Sequence, residues 1–124
     1  MKSKDFLDKL KKVMNMYVHR VYDVTEKFPK GELFGLTSQY RRSTLSIILN
    51  YIEGYARLSK KIMENFFEIS YGSLKESAYL TEFSFQRNYI NKQDHTQLVN
   101  LADEIGRMLW TVLQGMKQSG TLEH

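Results

Sequence analysis

The chain has 124 residues, 42% of them hydrophobic, with one proline and no cysteine, enough for one compact core but not for two. The absence of thiols excludes disulfides, thiolate catalysis and cysteine-bound zinc, and points to a reducing compartment, the cytoplasm. The formal net charge of +4 is unevenly spread: residues 1–60 carry 12 Lys/Arg against 6 Asp/Glu and residues 61–124 carry 6 against 8, so the front half is the side that would meet an anionic partner.

Four segments show helical periodicity. The first is predicted over residues 4–28, where Phe6, Leu10, Val13, Met14, Tyr17, Val21, Val24 and Phe28 recur every three or four positions as one apolar stripe. Pro29-Lys30-Gly31 ends it, because proline cannot continue the hydrogen-bond ladder. Thr37 is the expected N-cap of a second helix reaching Arg57, and Ser59 caps a third over residues 60–88 after a very tight turn. Asn91 with Asp94 three positions on opens the fourth, which buries Leu98, Leu101, Ala102, Ile105, Leu109, Val112, Leu113 and Met116 and is expected to fray at Ser119-Gly120.

Short links between long helices favour antiparallel neighbours. The predicted fold is therefore all-α, an antiparallel up-and-down four-helix bundle over residues 1–121. Residues 122–124, Leu-Glu-His, read as the start of a vector-encoded histidine tag and stand apart from functional argument. No stretch approaches the roughly 20 apolar residues that span a bilayer, and the start lacks the apolar region of a signal peptide, so no membrane partner is expected.

Helix 2 carries too much apolar surface for one core. Leu45, Ile48, Leu49, Ile52 and Ala56 form one sector, and Tyr40, Ile47, Tyr51, Tyr55 and Leu58 extend it to an arc of roughly 200°, against the roughly 100° that a single core demands. Either helix 2 is unusually enclosed, or the second sector is covered by another subunit. The subunit reading is preferred because aromatic residues concentrate in interfaces, which makes Tyr40, Ile47, Tyr51, Tyr55 and Leu58 the expected oligomer interface.

Catalytic and metal constellations are not found in the sequence. His19 and His95 lie on different segments with no carboxylate or second histidine at ligand spacing, and read as surface histidines. No serine has a positioned base, and Gly31 and Gly35 lack a phosphate-loop lysine. The expectation is a non-enzyme without cofactor or metal.

What remains is polar and basic. Gln39, Arg42, Ser46, Asn50, Glu53 and Arg57 share one face of helix 2, which reads either as a solvated strip with a Glu53–Arg57 pair or as a subunit seam or anion strip. Arg41 points into the apolar arc, so its stem snorkels past the helix start or its charge meets a phosphate or a neighbouring subunit. On helix 1, Lys2, Lys9, Arg20 and Lys27 fall nearly in line, flanked by Lys12 and Lys30 and interrupted by Asp5 and Asp23. Gly54, Gly72 and Gly106, inside helices, are expected to mark close helix approach.

The segment from Lys27-Phe28-Pro29 through Gly35-Leu36-Thr37-Ser38-Gln39-Tyr40-Arg41-Arg42-Ser43, with Ser46-Ile47, Asn50, Glu53-Gly54-Tyr55 and Arg57-Leu58-Ser59, resembles a known family. It is similar to the small bundle proteins encoded in intervening sequences of bacterial 23S rRNA genes, ribosomal-protein-like, whose relatives include the accessory variability determinant of diversity-generating retroelements. The likeness continues through Phe66-Phe67 and Gly72-Ser73-Leu74-Lys75-Glu76.

The resemblance implies a homo-oligomeric ring, typically a pentamer. For the retroelement relatives it also implies a basic surface that engages nucleic acid and a reverse transcriptase. Carried over by position, Arg41, Arg42 and Arg57 are the family-matching basic residues, and with Lys9, Lys12 and Arg20 they make the expected RNA- or DNA-binding set. The chain departs from the pattern at Ile48, where many relatives have proline, and at Tyr71, where a basic residue is frequent. Two functions follow as expectations: a non-catalytic nucleic-acid-binding accessory, or a protein-interaction scaffold whose basic residues only solvate it.

Overall fold

The computed structural model describes residues 2–122. Helix α1 spans Lys4–Thr25, a 3-10 turn follows at Lys30–Glu32, and α2 (Leu36–Tyr55), α3 (Lys60–Gln86) and α4 (Lys92–Leu122) complete the chain. There is no strand among the described residues. Glu123 and His124, from the segment read as a tag, lie outside them. Each helix packs on its two neighbours in a closed square, α1 against α2 and α4, and α3 against α2 and α4, with α2–α3 the most extensive seam. The all-α four-helix bundle read from the sequence is the observed fold.

The helix ends show which local signals act. Ser3 accepts from Phe6 N at 3.2 Å and Ser59 from Ile62 N at 3.4 Å, while Asn91 Oδ1 accepts from Asp94 N at 2.8 Å. These are side-chain caps for otherwise orphaned amides. Thr37 is not one: α2 begins two residues earlier than that cap would place it, Gly35 occupies the N-cap without a side-chain bond, and Thr37 is buried. The third helix stops at Gln86 because Asn88 turns left-handed (φ 65°). Asn88 N then bonds Phe85 O and Tyr89 N bonds Ser84 O, both at 2.9 Å, the double bond of a Schellman stop. Ser119-Gly120 does not end α4, which continues to Leu122.

The core differs from an ordinary aliphatic bundle. On α3 the buried face is largely hydroxylic: Ser70, Ser73, Ser77, Thr81 and Ser84 are all buried. Small residues let α2 approach closely, and their hydroxyls meet phenols. Ser77 Oγ lies 2.9 Å from Tyr17 Oη and 2.7 Å from Thr44 Oγ1, Tyr40 Oη bonds Thr81 Oγ1, and Ser70 Oγ donates to Ile47 O at 2.6 Å. Every member has a partner, which a buried polar group requires.

Close approach accounts for only one of Gly54, Gly72 and Gly106. A Cβ on Gly54 would stand 2.9 Å from the Phe67 ring, and Phe67 cannot retreat because it is fully buried and stacked on Tyr51 at 5.1 Å. Around Gly72 a Cβ meets nothing within 4 Å, and on Gly106 it meets only Leu74 Cδ2 at an ordinary 3.5 Å. The two sites should therefore respond with opposite signs. Gly54→Ala is expected to lose about 1 kcal/mol, overpacking of 1–3 kcal/mol outweighing the helix propensity gained. Gly72→Ala is expected to gain just under about 1 kcal/mol. Urea midpoints of the two variants check this, and equal shifts of the same sign would contradict it.

Candidate subunit and nucleic-acid interfaces

The overwide apolar arc of helix 2 is real, but its two sectors divide differently between core and surface. Tyr40, Ile47 and Tyr51, expected at a subunit interface, are 0%, 0% and 1% exposed inside the chain's own core. The physical reason is their hydroxyl partners: Tyr40 is held by the α3 hydroxyl stripe, and Tyr51 Oη donates to Leu7 O at 2.8 Å. Part of the sector expected in the core faces outward instead, with Leu49 57% and Ile52 41% exposed, while Ile48 is buried and Leu45 packs against the core. Tyr55 and Leu58 remain accessible, at 43% and 102%.

Of the three arginines, only Arg42 stands free. Arg41 crosses to α1, where Nε donates to Thr25 Oγ1 at 2.8 Å and Nη2 to Tyr22 O at 3.5 Å, with the guanidinium 4.5 Å above the Tyr22 ring. This places a cation on the last turn of α1, whose C-terminal dipole favours it, so Arg41 closes a helix end. Arg57 pairs with Glu53 and lies 5.3 Å over the Phe66 ring. Ser46, from the same polar strip, turns toward α3 and bonds Ser73 at 2.8 Å, and Asn50 Nδ2 donates back along α2 to Ser46 O at 2.8 Å.

The basic residues of α1 do not join Arg42. Arg20 borders the groove between α1 and α4 with His19, Gln97 and Asn100, and Lys9, eleven residues earlier, shares its heading at about 100° per residue. Lys12 is exposed. None of Lys9, Lys12, Arg20 and Arg42 forms an ion pair with another described residue. Lys9, Lys12 and Arg20 therefore lie within one broad sector of α1, and Arg42 is on α2.

His19 is exposed, as read from the sequence. His95 is not a surface histidine: its side chain is 18% exposed, stacked on Phe85 at 3.9 Å and bonded to Glu82, a carboxylate on α3 that local spacing could not reveal. Among the described residues no group of three or more His, Asp or Glu side chains converges as a metal site, and no helix is long and apolar enough to cross a membrane.

A family model described as 23S rRNA-intervening sequence protein matches residues 7–111. The chain belongs to this family. The match takes in almost the whole bundle, including the α1–α2 loop and the Arg41–Arg57 segment of the 23S rRNA-intervening sequence proteins. Among solved structures, the chain is similar to a protein of unknown function from the S23 ribosomal protein family of Bacteroides thetaiotaomicron, with a TM-score of 0.81 and 20% identity over 88% of this chain and 98% of that one. That likeness shows the fold. No curated protein matches the chain.

Sequence reasoning missed two features. The hydroxyl stripe of α3 was invisible to a search for apolar periodicity, although serines at three- and four-residue spacing carry the same period. The half-exposed Trp110 was also missed; its heading, well off the buried stripe of Ile105, Leu109 and Val112, was the available signal.

Proposed function

We propose that this 23S rRNA-intervening sequence protein is a non-catalytic assembly module of the cytoplasm that joins copies of itself through the outer face of α2 and the α2–α3 turn. The observation that carries this is the row of exposed apolar residues Leu49, Ile52, Tyr55 and Leu58, continued by Ile62 at 45% exposure on α3. Grouped apolar side chains of this size on one surface mark interaction sites. The core of the interface thus moves from the tyrosines buried in the monomer to their outward neighbours. The homo-oligomer, with the pentamer as its expected number, is the assembly supported by the earlier resemblance.

Light scattering at micromolar concentration should show a multimer for the wild type. Leu49→Glu combined with Ile52→Glu should weaken association by roughly a hundredfold or more, because an unpaired charge buried in an interface costs about 3 kcal/mol or more. Its helical content should be unchanged, since both side chains already face solvent. A wild-type monomer, or a double variant that assembles as before, removes the reading.

A second reading, engagement of RNA or DNA, is favoured by the unpaired Lys9, Lys12, Arg20 and Arg42. Repeated around an oligomer, these charges make a multivalent polycation whose affinity falls steeply with salt. Arg41 is tied to the end of α1 and Arg57 shares its charge with Glu53 at the surface, so both contribute less to it. A reverse transcriptase partner belongs to this reading only where a retroelement is linked to the gene.

A further inference from the structure

The α3–α4 side of the bundle carries a cleft that the assembly face does not use. It holds about 420 Å3 of open volume between Tyr71 and Lys75 on α3 and Asp103, Arg107 and Trp110 on α4. Trp110 is the chain's single tryptophan, and it leaves 51% of its surface in solvent while its ring packs at 5.8 Å from Tyr71. Lys75 Nζ stands 5.2 Å over the Tyr71 ring. None of Lys75, Asp103 and Arg107 makes an ion pair with another described residue.

Gly106 lines the same cleft. Glycine weakens a helix interior relative to alanine, and no internal contact requires it here, since a Cβ would meet only Leu74 Cδ2 at 3.5 Å. Its absence of side chain deepens the cleft and serves nothing else in the monomer. Depth, a flat aromatic face, one cation from each helix and one carboxylate are the parts that a planar, phosphorylated ligand uses.

We infer that this cleft binds a nucleoside phosphate, the base stacked on the open face of Trp110, the phosphate held between Lys75 and Arg107, and Asp103 accepting from a base amino group or ribose hydroxyl. Stacking on an exposed aromatic beside a cationic rim is how proteins hold single-stranded nucleic acid without reading its sequence. The inference rests on the nucleic-acid reading above but assigns it different residues. A free nucleotide and a nucleotide within a strand share this chemistry.

Because Trp110 is the only tryptophan, its fluorescence reports occupancy of the cleft directly. The probes are AMP, UMP and a short single-stranded RNA, titrated into the full chain at low salt, with binding of the labelled RNA also followed by anisotropy. A saturable fluorescence change is expected, with both mononucleotides if the ligand is free and with RNA alone if it is a strand. Trp110→Ala, read by anisotropy for RNA or by calorimetry for mononucleotide, should weaken binding about tenfold or more. Gly106→Leu should do the same by filling the floor while leaving the melting temperature unchanged or up to roughly 5 °C higher, as a better helix former does.

Salt-sensitive RNA binding with a silent Trp110 would overturn the cleft assignment and leave the polyanion reading standing. Failure of every probe to bind at low salt would remove both. A Trp110 signal that follows protein concentration alone would assign the cleft to a second copy, and so overturn the inference as well.

Discussion

Ser77→Leu is expected to destabilise the bundle by about 2–6 kcal/mol, a large share of the roughly 5–15 kcal/mol that holds a domain together. Two effects act at one atom. Ser77 is 0% exposed, so added carbons enter a closed seam, an overpacking worth about 1–3 kcal/mol. The lost hydroxyl also strips a partner from Tyr17 Oη at 2.9 Å and Thr44 Oγ1 at 2.7 Å, at about 1–3 kcal/mol for buried groups left short of a hydrogen bond. Tyr17 keeps the longer contact to Thr81, at 3.3 Å.

Ser77→Ala separates the two effects, since it removes the hydroxyl without adding volume and should cost only the second. Adding Tyr17→Phe to Ser77→Ala should then cost less than the two single changes together, because the phenol left short of a partner is itself removed. Urea denaturation of the four proteins gives the comparison. If Ser77→Leu is as stable as the wild type, the α2–α3 seam is not packed as described and the role of the hydroxyl stripe falls with it.

This seam also shows where sequence reading succeeds and where it stops. Helix existence was legible because Leu10, Val21, Ile105 and Leu109 repeat at the helical period, and the caps at Ser59 and Asn91 because their bonds are local. The choice between the two apolar sectors of α2 was not. It depends on α3 presenting hydroxyls to Tyr17 and Tyr40, a tertiary match between phenols and serines that hydropathy scores as a mismatch. The preference of aromatic residues for interfaces put the tyrosine sector outside the core, yet small α3 side chains leave room for rings, and rings with a bonded hydroxyl fill that room.

The same limit applies to the basic residues. Arg41, Arg42 and Arg57 are equal in sequence, but the neighbours that distinguish them are Thr25 and Tyr22 on α1 for Arg41 and Phe66 on α3 for Arg57. Among the described residues of α2, only Arg42 has neither an ion pair nor an aromatic ring beside its charge. On α1, Lys9 and Lys12 are exposed and Arg20 is half-buried.

Alkaline unfolding should be steep, because the core is built on protonated phenols. Burial pushes the pKa of Tyr17, Tyr40 and Tyr51 above the ordinary value of 10.0; the neighbouring Tyr17 adds to the effect on Tyr40, and Tyr55 and Asp8 add to it on Tyr51. Each folded pKa thus exceeds its unfolded value, so above pH 10 the unfolded chain binds fewer protons than the native one, and stability falls as pH rises. Below pH 10 the contribution is fully present. Each phenol withheld from ionisation removes about 1.4 kcal/mol per pH unit above that point, and three together remove about 4 kcal/mol per unit. Helicity measured against pH should therefore collapse within roughly two to three units above pH 10, with tyrosinate absorbance from the buried phenols rising in the same transition. Tyr51→Phe supplies the control with opposite signs at the two ends of the scale. Loss of the bond to Leu7 O should lower its stability at neutral pH by about 1 kcal/mol. Its decline above pH 10 should be shallower by about 1.4 kcal/mol per unit, so the two stability curves converge and then cross. Parallel curves would mean that Tyr51 ionises as readily in the fold as in the unfolded chain, and that its ring is not sealed in the core.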